Sequence, residues 1–171
     1  PNFGFKLVAA AMEHAPHGAP SVGDLSCVRS LMNAGEQVTA EVCDAFLRRT
    51  GLPPSVMQPA FGMAECCTCM TYNHAYATGR ATVRVAKDSL QAASLRLAPP
   101  DAAGPAVSFA DLGPPSPGVE LRICAPPPRG AADAAPRVLR ELQVGRLQIR
   151  GACVMRGYHE HPAATAESMV G

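Results

Sequence analysis

The clearest pattern in the chain is a recurrence of apolar residues every four positions. Val38, Val42 and Phe46 follow the spacing that places side chains on one face of an α-helix. Thr39 stands at the N-cap position, Glu41 falls in the first turn and Arg48 and Arg49 fall in the last. Gly51 follows as a stop, and Pro53 and Pro54 prevent continuation. Earlier, Phe3, Phe5, Leu7, Val8 and Met12, with alanines between them, cover nearly the whole circumference of another helix. A helix that is apolar all round is expected to lie buried between other elements. His14 to Pro20 reads as a loop. Cys27 to Met32 is a short apolar run bounded by turn residues, consistent with a buried strand, and Val56 to Pro59 reads as a second one. The order helix, strand, helix, strand predicts an α/β layer with parallel strands.

Beyond about residue 75 the pattern shifts toward strands. Thr82–Val85 and Val119–Ile123 are strand-like, with Leu121 and Ile123 alternating against Arg122. In Gly145–Gly151, Leu147 and Ile149 face one way and Arg146, Gln148 and Arg150 the other. Pro99–Pro105, Pro114–Gly118 and Ala125–Pro136 are Pro/Gly/Ala-rich connections expected to be loops, the last of them mobile. Ala163–Gly171 reads as a helix just begun. The chain thus divides into an α/β part, residues 1–78, and a β-rich subdomain, residues 79–171. Both ends fall in structure-forming sequence, which leads us to expect a piece of a larger chain.

Composition narrows the function classes. Hydrophobic residues make up 47% and charged residues 17%, which argues against general disorder. The net charge of +1, scattered basic residues, three Tyr and five Phe give no case for nucleic acid or an anionic membrane. No apolar run reaches the roughly 18 residues that span a bilayer. The seven cysteines are odd in number and follow no signal peptide, so reduced thiols in a cytoplasmic protein are expected. Cys66, Cys67 and Cys69 with His74 raise a zinc alternative, and His159-Glu160-His161 a ligand pair. Neither has the spacing of a strong site. Buried small side chains and a solvated loop are expected instead.

Pro1–Phe5 with Asp24–Ser26, then Asn33–Val38, Phe61–Glu65, Phe109–Gly113 with Pro117–Ile123, and Gly145–Gly151 with Gly157–Thr165 follow one another in an order that resembles the fatty-acyl-AMP ligases and the related acyl-ligase loading domains of polyketide and peptide synthases, within the adenylate-forming superfamily. Pro1-Asn2-Phe3-Gly4-Phe5 with Asp24-Leu25-Ser26 is similar to the family's helix and its approach to the core strand. Asn33-Ala34-Gly35-Glu36-Gln37-Val38 is similar to its adenine-side loop. Phe61-Gly62-Met63-Ala64-Glu65 follows its aromatic-Gly-x-(Ala/Ser/Thr)-Glu motif. Phe109-Ala110-Asp111-Leu112-Gly113 with Pro117-Gly118 and Leu121-Arg122-Ile123 resembles its glycine-proline turn and next strand. Gly145 to Gly151, then Gly157-Tyr158, Pro162 and Thr165, resembles the strand and turn that follow.

The resemblance implies an α/β fragment of the large N-terminal domain of an acyl-adenylating ligase. It implies ATP and magnesium as cofactors, and activation of a carboxylic acid, fatty acids foremost, as acyl-AMP. The acyl group would pass to the phosphopantetheine of an acyl carrier protein, with the rest of the ligase and neighbouring synthase modules as partners. Phe61 would stack on adenine, and Gly62 would let the backbone turn tightly beside it. Glu65 would be the catalytic carboxylate that binds magnesium. Gly35, Glu36 and Gln37 would line the adenine, chiefly through backbone groups, and Gly62, Met63 and Ala64 would complete the nucleotide site. Glu36 reads equally as an acid favouring the dipole of the following helix. Residues 79–107 lie where acyl-AMP ligases carry extra sequence, with Val83, Val85 and Leu90 patterned like that insertion.

Departures from the family pattern matter too. Phe61 stands where many relatives have Tyr, Ala64 where many have Thr or Ser, and Gln37 where proline is common. No phosphate loop rich in Ser, Thr and Gly is present, and the resemblance puts the ribose-binding Asp, the hinge and the catalytic Lys beyond residue 171. The fragment alone is therefore expected to be inactive. The alternatives are a fragment of an acyl-CoA ligase and a degenerate scaffold domain without catalysis.

Overall fold

The computed structural model describes residues 1–14, 23–102, 104–126 and 135–169. Its first half is built around a β-α-β unit: β1 (Leu31–Asn33), α2 (Ala40–Thr50) and β2 (Met57–Gly62), preceded by α1 (Asn2–Glu13). β1 and β2 are parallel, with Leu31 opposite Met57 and Asn33 opposite Pro59. A parallel pair needs a crossover, and α2 supplies it. Thr39 is its N-cap residue in extended conformation, Glu41 and Arg48-Arg49 lie in its end turns, and Gly51 closes it with φ 69°. β3 (Cys69–Tyr72) adds an antiparallel strand, giving the order β1-β2-β3.

The core of this half joins Val38, Cys43, Phe46 and Leu47 to Val56, Met57 and Tyr76. Phe5 meets Phe46 edge-on, with ring centroids 4.9 Å apart. Asp44 on α2 ties down the chain beyond β3. Its carboxylate accepts the Tyr76 hydroxyl at 2.5 Å and the Gly79 N–H at 3.2 Å.

Two antiparallel pairs follow: β4 (Thr82–Ala86) with β5 (Ala106–Ala110), and β6 (Val119–Cys124) with β7 (Arg146–Gly151). The alternation read from the sequence is realised in the second pair. Leu121 faces Ile149 and Ile123 faces Leu147, while Glu120 faces Arg150 and Arg122 faces Gln148. Arg150 makes a salt bridge to Glu120 at 2.7 Å, and Arg122 Nε donates to Gln148 Oε1 at 2.8 Å. A short helix, α3 (Pro162–Ser168), comes last, starting one residue before the span expected to begin one.

Several expectations need correction. α1 is not buried all round: Ala9 is its one buried residue, and Phe3, Leu7 and Val8 are 58%, 62% and 45% exposed. A helix presents one face to one partner, and α2 is the helix that covers α1 here. The first strand starts at Leu31 rather than Cys27, because the Asp24 carboxylate accepts the Ser26 N–H at 2.8 Å and turns the chain there. β2 runs on through Phe61 and Gly62. β3 and β5 were not foreseen, since Cys69–Tyr72 and the Ala/Ser-rich Ala106–Ala110 show weak alternation. The loops expected at His14–Pro20 and Ala125–Pro136 lie largely outside the described residues. No helix among the described residues is long and apolar enough to cross a membrane.

Candidate functional site

The site forms where β1 and β2 end side by side. Past Asn33 the chain turns at Gly35, whose φ of 86° suits glycine. Asn2 at the start of α1 holds this loop. Its Oδ1 accepts Asn33 Nδ2 at 3.1 Å and the Thr39 N–H at 3.2 Å. The Glu36 carboxylate accepts the Phe3 N–H at 2.6 Å. Glu36 therefore serves the N-terminus of α1, not that of the following helix. An N–H with no partner inside its own helix is the natural donor for a nearby carboxylate.

Across from this loop, β2 and β3 run so close that a Cβ on Gly62 would lie 2.4 Å from the Thr68 carbonyl oxygen and 2.5 Å from Cys69 Cα. The pairing register shifts between Phe61 and Gly62. Gly62 is thus required by strand packing, where the sequence suggested a turn beside a ligand. A 3-10 turn, Ala64–Cys66, follows, and the chain reverses at Cys67, with φ 68°. A cleft of about 400 Å³ opens between the two ends. Met32, Ala34 and Gly35 line one side, Gly62, Met63 and Ala64 the other, and Pro1, Cys67, Thr68 and Cys69 complete it. Met32 Sδ and Cys69 Sγ approach to 3.9 Å.

The expected nucleotide residues divide. Gly35, Gly62, Met63 and Ala64 line the cleft; Phe61, Glu36, Gln37 and Glu65 do not. Phe61 is half-buried, on the side of β2 that it shares with Met57 and Pro59. Glu36 is engaged by α1, and Gln37 is exposed. Glu65 directly follows the cleft wall and is held by a segment distant in sequence: its Oε1 accepts the Tyr158 hydroxyl at 2.7 Å, and its carbonyl oxygen accepts the Met155 N–H at 2.7 Å. The Tyr158 hydrogen bond keeps the Glu65 carboxyl below its ordinary range, and the Glu65 carboxylate pushes the Tyr158 phenol up.

Among the described residues no three His, Cys, Asp or Glu side chains stand together for a metal. The cysteines were expected to be buried small side chains, and they diverge instead. Cys66 is buried, Cys67 exposed and Cys69 half-buried, because the 3-10 turn and the reversal at Cys67 aim them apart. All seven cysteines are free thiols. Magnesium suits what is present. A hard cation beside phosphates takes one or two carboxylates with phosphate and water oxygens, and Glu65 offers an ionised carboxylate whose hydrogen bond among the described residues falls on Oε1 alone.

The sequence missed Pro1, Met32, Cys67, Thr68 and Cys69 as cleft residues, since nothing in their pattern marks a wall. Tyr158 was visible within a motif, but no local signal placed it against Glu65.

The pattern of the AMP-binding enzyme family matches residues 5–159, and the chain belongs to that family of adenylate-forming ligases. It is 27% identical over 172 residues to the nonribosomal peptide synthetase btyA of Aspergillus terreus, covering 98% of this chain and 16% of that protein. Among solved structures it is similar to the adenylation domain of a keto acid-selecting nonribosomal peptide synthetase module bound to keto acyl adenylate. There the TM-score is 0.79 at 30% identity, over 98% of this chain and 30% of that one. Fatty acyl-adenylate ligases from E. coli and L. pneumophila share the fold, with a TM-score of 0.77 at 22% identity over 98% of this chain and 29% of that one. The chain spans a part, not the whole, of the adenylate-forming fold of these relatives.

Proposed function

We propose that the chain is the nucleotide-cleft part of an ATP-dependent cytoplasmic ligase. That ligase activates a carboxylic acid as its acyl adenylate and passes the acyl group to the phosphopantetheine thiol of a carrier protein. The observation that carries this reading is the cleft between Gly35 and the Gly62–Ala64 wall, followed at once by the ionised Glu65, in a chain of the AMP-binding family.

The substrate carboxylate attacks the α-phosphorus of ATP and pyrophosphate leaves; the carrier thiol then displaces AMP from the acyl carbon. Backbone groups at Ala34, Gly35 and Gly62 meet the edge of adenine, and Met32 and Met63 supply apolar surface beside it. Phe61 backs the wall from β2, and Glu36 holds the loop to α1 so that Gly35 and Gln37 keep their place. Glu65 would hold magnesium, which when bound offsets phosphate charge. Residues 1–78 carry the cleft, and residues 79–171 form the subdomain that supports it through Tyr158.

A keto acid is the first substrate class to test, because an adenylation domain selecting one is similar at 30% identity. Fatty acids form the second. Carrier transfer is favoured over coenzyme A because the relatives include several nonribosomal peptide synthetases. The 171 residues alone should not turn over, since they contain no phosphate loop and charge stabilisation is the largest catalytic term.

Pyrophosphate exchange on the full-length protein, with a panel of keto and fatty acids, tests this. The expected result is acid-dependent exchange in the full protein, none in the isolated chain, and acyl transfer to a carrier thiol. Absence of exchange and of nucleotide affinity in the full protein would leave a scaffold. Release of acyl-CoA would move the acceptor to coenzyme A.

A further inference from the structure

The contacts around Glu65 come from a segment far away in sequence, and they form a continuous chain. The Tyr158 hydroxyl reaches Glu65 Oε1 across a separation of 93 residues. Three residues earlier, the Met155 N–H grips the carbonyl oxygen of the same Glu65. Side chain and backbone of one residue are thus held by one short segment. That segment is anchored in its turn. The Tyr158 N–H donates to Thr165 Oγ1 at 2.9 Å, and Thr165 Oγ1 donates to the His161 carbonyl oxygen at 2.9 Å, at the start of α3. Gly157, with φ 154°, lets the chain pass Thr165, where a Cβ would come within 2.7 Å of the threonine methyl carbon.

We infer that Tyr158 is a positioning residue for Glu65, holding its carboxylate in the orientation that receives the cation. This rests on the reading of Glu65 as the magnesium ligand. A glutamate side chain has three rotatable bonds, and an exposed one samples many orientations. A donor fixed to one oxygen selects among them and leaves the second oxygen for the cation. Outer partners of metal ligands act in this way, and their loss typically weakens metal binding 10- to 100-fold. The bond contributes little to folding, because both groups reach solvent and water would satisfy either one. Its consequence is orientation. α3 and Thr165 set the backbone of Tyr158, and Tyr158 sets Glu65.

The test uses the full-length protein carrying Tyr158→Phe, which keeps the ring and removes the donor. Manganese stands in for magnesium, and its affinity in the presence of a non-hydrolysable ATP analogue is read by electron paramagnetic resonance, without turnover. We expect manganese affinity to fall about tenfold. The melting temperature and the metal-free affinity for the analogue should stay as in the unmodified protein. Glu65→Gln should weaken manganese binding by itself, and adding Tyr158→Phe to it should change nothing further, because the tyrosine acts through the carboxylate. Thr165→Val, which removes the anchor of the Tyr158 backbone, should give a smaller loss of the same kind. Unchanged manganese affinity in Tyr158→Phe overturns the inference, as does an equal loss in the Glu65→Gln background. If the unmodified protein binds manganese no better with the analogue than without it, the reading of Glu65 as ligand fails first and takes this inference with it.

Discussion

In the β1–α2–β2 unit, Cys43 and Met57 are sealed from solvent, whereas in the β6–β7 pair Leu147 stays 39% exposed and none of Leu121, Ile123 and Ile149 is buried. Both regions carry regular apolar patterns. The helix α2 and strand β2 close on each other, on α1 and on Tyr76. The hairpin has a well-made polar face, with Glu120–Arg150 and Arg122–Gln148 pairs, and an apolar face that the described residues cover incompletely. An apolar stripe specifies which side of an element seeks cover; another part of the fold must then supply it. The same holds for Phe3, Leu7 and Val8 on α1.

Substitutions in the two regions test this contrast. Met57→Ala should cost about 3 kcal/mol in urea unfolding, because a fully buried side chain leaves a cavity in the most closed part of the molecule. Gly62→Ala should cost about 2 kcal/mol, since the new methyl group meets the Thr68 and Cys69 backbone and pushes β2 from β3. The same change should reshape the cleft, and nucleotide affinity in the full-length protein should fall with it. An unchanged affinity would detach the cleft from nucleotide binding.

Tyr76→Phe should cost about 1 kcal/mol through loss of its hydrogen bond to Asp44. Burial, and then the hydrogen bond to Asp44, push the Tyr76 phenol far above its ordinary value of 10.0. The folded state therefore keeps the proton that the unfolded chain releases. That contribution is fully present below pH 10.0 and is lost as pH rises beyond it. Stability of the unsubstituted protein should thus decline at alkaline pH, and Tyr76→Phe should flatten the decline. Leu147→Ala should cost less than about 1 kcal/mol in the isolated chain, as expected for a surface position. In the full-length protein its cost should rise to about 2 kcal/mol if the remaining domain covers that face. An equal, small cost in both would show that the face stays wet.

Parts of this molecule were legible without coordinates because their cause is local. The start and stop of α2 follow from Thr39, Glu41, the two arginines and Gly51, all neighbours in the chain. The facing of β6 and β7 follows from a period of two. The order of the motifs from Pro1 to Thr165 was also readable, and it was enough to indicate the family. β3 was not readable: Cys69–Tyr72 becomes a strand by pairing with the end of β2, and that pairing shifts register at Gly62. The site was half legible. Its glycines and Ala64 line the cleft, while Glu36 bonds to the start of α1 and Phe61 lies outside the cleft lining.

The amino-acid order by itself determined the helix ends, the sidedness of the strands and the adenylate-forming family. Tertiary structure decided which apolar faces are covered, where the cleft opens, and that Tyr158 meets Glu65. These depend on the approach of segments distant along the chain, and contacts of that kind leave no mark in the spacing of neighbours.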